Sequence, residues 1–115
     1  MQDAPVKHDK KLFEALLGFA RAIDPDVRGG SMFGCPAAFH GRKMAACVYG
    51  DKIGLKVPEE QANATLASGR AVRFTPYGKA KMREWIMLEG GELDKIGDLL
   101  ASALAYAEAN NTKAR

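Results

Sequence analysis

Apolar positions recur along this chain with two periods, and those periods predict its elements. From Lys7 to Ile23, the residues Leu12, Phe13, Leu16, Leu17, Ala20 and Ile23 fall at helical spacing. Lys10, Lys11, Glu14 and Arg21 lie mostly off that stripe, so the helix is amphipathic. Asp24-Pro25 ends it, because the residue before a proline is pushed out of the helical region. Asp26 to Ser31 reads as a turn-rich connection closing on Gly29-Gly30. The period then drops to two. A first strand is predicted over Met32 to Phe39, where Gly34 and Pro36 call for a bulge or an edge position. A second covers Lys43 to Tyr49, with Ala45 and Cys47 on one face and Ala46 and Val48 on the other. In the third, Ile53, Leu55 and Val57 point one way and Lys52, Gly54 and Lys56 the other, giving one buried and one partly wet sheet face. His40-Gly41 and Gly50-Asp51 supply the hairpin turns.

Pro58-Glu59-Glu60 opens a short helix that should end near Ser68, with Gly69 after it. Val72 to Thr75 is a short strand stopped by Pro76. A fifth strand runs from Lys79 or Ala80 to Leu88. After Glu89-Gly90-Gly91, a final helix from Glu92 to Ala109 carries Leu93, Ile96, Leu100, Ala103, Leu104 and Ala107 on one stripe. Residues 1–6 and 110–115 are expected to be loose. The order α-β-β-β-α-β-β-α predicts an α+β fold: a mainly antiparallel five-stranded sheet with helices packed on one face, so that every apolar stripe finds a partner.

Composition adds bounds. The 115 residues, 47% apolar and 27% charged, make a single domain over 1–115, with no repeat or linker. A chain of this size buries roughly 65% of its unfolded surface without help from metals or disulfides. No apolar run approaches the roughly 20 residues of a membrane span. The first 30 residues are charged throughout and read as no signal peptide, so a cytoplasmic setting is expected. Net charge is +3, but the window from His40 to Arg83 holds nine basic and three acidic residues. Such a window attracts anions or simply keeps the surface soluble. Cys35 and Cys47 flank the first hairpin turn. They lie directly across from each other only if the loop is the three residues His40-Gly41-Arg42; in a reducing cytoplasm they are expected to be small, free core residues.

Catalytic chemistry needs a nucleophile or a titratable pair in one cleft, and none is predicted. His40 sits in a turn with no carboxylate placed beside it by the sequence, and His8 lies in a loosely held lead-in or the first helical turn. Asp24 and Asp26 straddle a proline, which is turn chemistry. The cysteines and histidines lack zinc-ligand spacing. Gly29-Gly30-Ser31 and Gly78-Lys79 lack the context of a phosphate-binding loop. No catalytic residue, metal site or cofactor is expected. The most suggestive surface is the fifth strand, where Lys79, Lys81, Arg83 and Trp85 share a face, with Arg70 and Arg73 upstream extending it. Alternating cations ending on an indole suit an acidic peptide or a nucleic acid; equally, they describe a solvated strand whose tryptophan packs under the edge. Glu84 falls on the opposite face with Met82, Ile86 and Leu88, where it is expected near the strand edge or paired with a buried arginine, unless a bulge reassigns it.

Several short motifs occur together in order: Met32-Phe33-Gly34, Phe39-x-Gly41-x-x-Met44, Ile53-Gly54-Leu55-Lys56, Phe74-x-Pro76-x-Gly78, Met82-Arg83-Glu84-Trp85 and Ala105-Tyr106-Ala107. In this the chain resembles the TfoX N-terminal-domain family across nearly its whole length. The resemblance implies an α+β fold of the secretion-chaperone-like kind, as in YjbR-like proteins. It also implies kinship to the amino-terminal half of a bacterial competence regulator. It carries over no catalytic residue and, covering one domain's length, no role in competence transcription. The expected function is a small non-catalytic cytoplasmic module that binds a protein partner in regulation. The alternative is nucleic-acid binding through Arg70–Trp85, and a small-molecule pocket between sheet and helices is a third option. Pairing of two copies is a further candidate, through a strand edge near Met32 to Phe39 or the wet sheet face.

Overall fold

The computed structural model describes residues 7–32, 34–74 and 83–113. Helix α1 (Lys10–Ile23) starts at Asp9, whose carboxylate accepts the Leu12 N–H at 3.0 Å, and it stops at Asp24 before the proline. Six strands follow or interleave with the helices: β1 (Arg28–Met32), β2 (Cys35–His40), β3 (Lys43–Tyr49), β4 (Lys52–Lys56), β5 (Val72–Arg73) and β6 (Trp85–Glu89). They form one open sheet in the order β1-β2-β3-β4-β6-β5, with every neighbouring pair antiparallel. The α+β class and antiparallel sheet agree with the sequence reading; among the described residues the sheet has six strands where five were expected.

The extra strand is β1, where the sequence predicts a turn. Its glycines serve close approach. A Cβ on Gly30 would stand 2.9 Å from the Phe39 ring, and one on Gly29 would meet Leu17 of α1 at 3.4 Å. Of the strand predicted over Met32 to Phe39, Met32 ends β1 and Cys35 begins β2. Its second part, β2, lies between β1 and β3 and is no edge. The expected irregularity sits further along, at the pairing of β2 with β3. Ala38 faces Ala46 and Phe39 faces Met44, so Ala45 is one residue extra in β3. The bulge explains why Met44 through Val48 are all buried. Ala45, Ala46 and Val48 join the core beneath the helices, while Met44 and Cys47 face the other way.

On the helical side, β2, β3, β4 and β6 pack against α1, α2 (Glu59–Ala67) and α3 (Gly97–Lys113). Ile53, Leu55 and Val57 lie there as their alternation predicts. The other face carries a second buried cluster of Ala37, Met44, Cys47, Phe74 and Trp85, with Met32, Phe39, Tyr49 and Met87 packed around it. The face expected to be partly wet is wet only at its margins, where Lys52 and Lys56 are half-buried. Phe74 makes the difference. It lies over Gly54, whose absent Cβ would fall 3.1 Å from the ring and 2.9 Å from Cys47 Sγ.

Two elements differ in extent. Arg83 and Glu84 form a turn, β6 begins at Trp85, and the predicted start of the fifth strand at Lys79 or Ala80 lies outside the described residues. The single helix predicted from Glu92 is a 3₁₀ segment, Gly90–Lys95, then a break at Ile96, then α3 running to Lys113, beyond the point where fraying was expected. Residues 1–6 lie outside the described part. Among the described residues no helix is long and apolar enough to cross a membrane.

Candidate functional site

Among the described residues, those singled out on the sequence do not form one open cationic face ending on an indole. Arg70 donates to both carboxylate oxygens of Asp98, at 3.1 and 3.2 Å, near the start of α3. That hydrogen-bonded guanidinium holds the Asp98 carboxyl below its ordinary range. Arg73 donates to the Arg83 carbonyl at 3.3 Å, and Arg83 itself is an exposed turn residue. Trp85 is only 6% exposed and tilts against Phe74 at 5.4 Å between ring centroids. The packed tryptophan named as one possibility is what the fold builds. Lys79 and Lys81 lie outside the described residues.

Trp85 nevertheless reaches a site the sequence did not reveal. Beside the second core is a hollow of about 300 Å³, lined by Met32, Phe39, Met44 and Trp85 and by three cations, Arg42, Lys43 and Lys56. Each cation is positioned by local chain geometry. Gly41 takes a φ of +61°, allowing a two-residue turn that puts Arg42 at the tip and Lys43 opposite His40. The bulge at Ala45 turns Met44 onto this face. The register of β4 with β6 sets Lys56 opposite Trp85. Arg28 borders the same region, its guanidinium 5.0 Å over the Phe39 ring and donating to the Gly41 carbonyl at 3.0 Å.

Glu84 lies beside this rim, near Lys56. It belongs to the turn before β6 rather than to an apolar strand face. Its carboxylate accepts the Tyr106 hydroxyl and stands 3.9 Å from Lys56 Nζ. That hydrogen bond raises the Tyr106 phenol above its usual range, with burial adding to it.

Two larger hollows, of about 450 and 400 Å³, mix signs at their walls. One places Arg70 and Lys95 beside Glu89 and Glu92, the other Lys11 beside Asp9 and Asp51. Opposite charges close together cancel each other's field on an approaching ion. The smaller hollow is lined by cations alone, with Glu84 beside only Lys56, over an apolar floor. Such a lining is chemically suited to an anionic group joined to an apolar one.

The histidines are fixed in ways the sequence concealed. His40 Nδ1 lies 2.5 Å from Asp24 Oδ2, tying the β2–β3 turn to the end of α1. Asp24 is sixteen positions away, so spacing gave no signal for the pair. His8 is not loosely held: its Nδ1 accepts the Gly50 N–H at 3.0 Å and its ring tilts against Tyr49. Cys35 and Cys47 are buried free thiols, and Cys47 faces Ala37 rather than Cys35. The turn has two residues and the bulge adds one, so the three-residue condition for direct opposition is not met. Burial, and then the nearness of Cys35, push the Cys47 thiol up to about 12, so it is a packing group and a poor nucleophile. Among the described residues no cluster of three or more His, Cys, Asp or Glu is arranged to hold a metal.

Comparison with protein-family models, with curated proteins and with solved structures returned no match.

Proposed function

We propose that this protein is a small non-catalytic recognition module, cytoplasmic and regulatory, that binds an acidic protein segment carrying an exposed apolar side chain. One observation carries the proposal: Arg42, Lys43 and Lys56 surround an apolar floor of Met32, Phe39, Met44 and Trp85. A leucine or phenylalanine side chain seated on that floor contributes about 1.5–3 kcal/mol. Carboxylates beside it pair with half-exposed cations, each worth about 0.2–1 kcal/mol. A contact of this size belongs to the weak, transient class, with Kd no tighter than roughly tens of micromolar. The motifs shared with the TfoX N-terminal-domain family support the same regulatory reading, and the free buried thiols suit a reducing compartment.

Nucleic acid is the reading this one outranks. Trp85 presents almost no ring face on which a base would stack, and Arg70 and Arg73 are engaged with Asp98 and a backbone carbonyl.

The only tryptophan of the chain lines the hollow, so its emission reports occupancy. Short peptides with Asp or Glu flanking a Leu or Phe should shift that emission saturably. Arg42→Ala combined with Lys43→Ala should weaken the response about tenfold, and lysine-flanked peptides should give none. An unshifted emission with every acidic peptide would refute the proposal. Tighter binding of single-stranded DNA, with salt dependence steepening by almost one log unit per phosphate contact, would replace it.

A further inference from the structure

We infer that β1 is a self-association edge, along which a second copy of this chain pairs antiparallel about a two-fold axis through Gly30. The inference is independent of the hollow. It rests on which backbone groups of β1 are already used. The pair His40↔Lys43 closes the two-residue turn Gly41-Arg42 and exchanges both hydrogen bonds, so alternation along β2 directs the backbone groups of Phe39, Ala37 and Cys35 to β1 and makes Met32↔Cys35 a hydrogen-bonded pair. Alternation then makes Gly30↔Ala37 and Arg28↔Phe39 hydrogen-bonded pairs as well. The intervening residues, Gly29 and Ser31, direct their N–H and C=O groups away from β2. The sequence fits this phase, because Ser31 faces Pro36, which has no N–H to donate. Among the described strands none lies beyond β1, and Gly29 and Ser31 are exposed.

Sheet edges are commonly guarded by lysine, proline, a bulge or a covering loop. From Arg28 to Met32 there is no proline or lysine, and the one charge, Arg28, is drawn back onto Phe39 and the Gly41 carbonyl. Two glycines leave the backbone open to close approach. The edge is also its own complement. With the axis at Gly30, Gly29 of one copy meets Ser31 of the other, twice, and the two pairs make four backbone hydrogen bonds. Arg28 falls opposite Met32 of the second copy, so like charges do not face each other. Above the seam, the half-buried Phe13 and Leu17 of α1 overhang Gly29, and the same pair from the second copy would meet them there. An unrelated strand would satisfy the backbone groups but would not supply that matching apolar cover.

Ser31→Pro tests the geometry, because the N–H it removes points outward and takes no part in the β1–β2 ladder. Sedimentation equilibrium should show a concentration-dependent dimer for the wild type and for Ser31→Ala. For Ser31→Pro, dimerisation should weaken at least about thirtyfold, the equivalent of two lost hydrogen bonds. Far-UV circular dichroism establishes whether the proline variant stays folded. If it does not, amide exchange of the wild type decides: the Gly29 and Ser31 amides should be slow in concentrated protein and fast on dilution. A wild type that stays monomeric at high concentration would overturn the inference. So would a dimer that Ser31→Pro leaves intact, or one in which those two amides exchange fast.

Discussion

Replacing Phe74 by alanine separates the two possible descriptions of the second sheet face. If that face were wet, as the lysines alternating along β4 predict, removing one of its side chains would change stability by less than about 0.5 kcal/mol. Instead Phe74 is 1% exposed, its ring meets Tyr49 edge-on at 5.7 Å and Trp85 at 5.4 Å, and it lies over the backbone of Gly54. Deleting a ring so enclosed removes its transfer energy and leaves a cavity, together about 3–5 kcal/mol. That is a large share of the total of about 5–15 kcal/mol expected for one domain. With a urea m-value of about 1.5 kcal/mol/M, the midpoint should fall by about 2–3 M. Circular dichroism is the proper readout, since Trp85 loses its neighbour and its emission should move red for a separate reason. Phe19→Ala is the control, because Phe19 is 45% exposed on α1. A Phe74→Ala loss below about 1 kcal/mol, no larger than that of Phe19→Ala, would refute the second core.

Gly54→Ala puts a Cβ 2.9 Å from Cys47 Sγ and should cost about 1–3 kcal/mol by overpacking. Adding Cys47→Ala should return at least about 0.5 kcal/mol of it, whereas simple additivity in urea melts would count against the contact. Asp98, its carboxyl held low by Arg70, contributes a small stability that is full above the ordinary carboxylate range and is lost as pH falls through the lowered value. The gap in urea midpoint between wild type and Asp98→Asn should therefore be present at neutral pH and close in strong acid; a gap that persists in acid rules the pairing out. With its thiol pushed up to about 12 and buried, Cys47 should resist iodoacetamide at mildly alkaline pH until the chain unfolds, and fast labelling of the native protein would show otherwise.

How much of this was legible depended on whether the signal lay within one element. The α1 stripe, the Ile53-Leu55-Val57 alternation, the Pro58 helix start and Gly69 after α2 are local patterns, and each marks what the structure contains. β1 was hidden because Gly29-Gly30 carries no side-chain period; its strand conformation is held by Phe39 and α1, which lie elsewhere in the sequence. The bulge at Ala45 was equally silent, since a run of small residues fits either face. The candidate site inherits both obscurities. Trp85 was visible as unusual, but Met44 reaches the hollow only through the bulge, and Arg42 and Lys56 are brought to it by separate turns and registers.

The second face has a single cause that no individual strand displays. Following the registers across the sheet, Gly30 faces Ala37, Ala37 faces Cys47, Cys47 faces Gly54, and Gly54 faces Met87. Four small residues thus form one row running across four strands, a trough perpendicular to the chain direction. Aromatic rings fill it, Phe39 over Gly30 and Phe74 over Gly54, which is why a Cβ at either glycine would strike a ring. Filling the trough buries Cys47 and lifts its pKa, so that thiol is a spacer sized for the ring beside it. At the end of the sheet where the bulge lies, the row gives way to Phe39, Met44 and Trp85, and the hollow opens between them under three cations. The same small residues that let the rings pack make β1 glycine-rich and leave its outer backbone open. Packing demand, rather than turn formation, is therefore the reason for glycine at 30 and 54, and the candidate ligand site and the candidate pairing edge are its two boundaries.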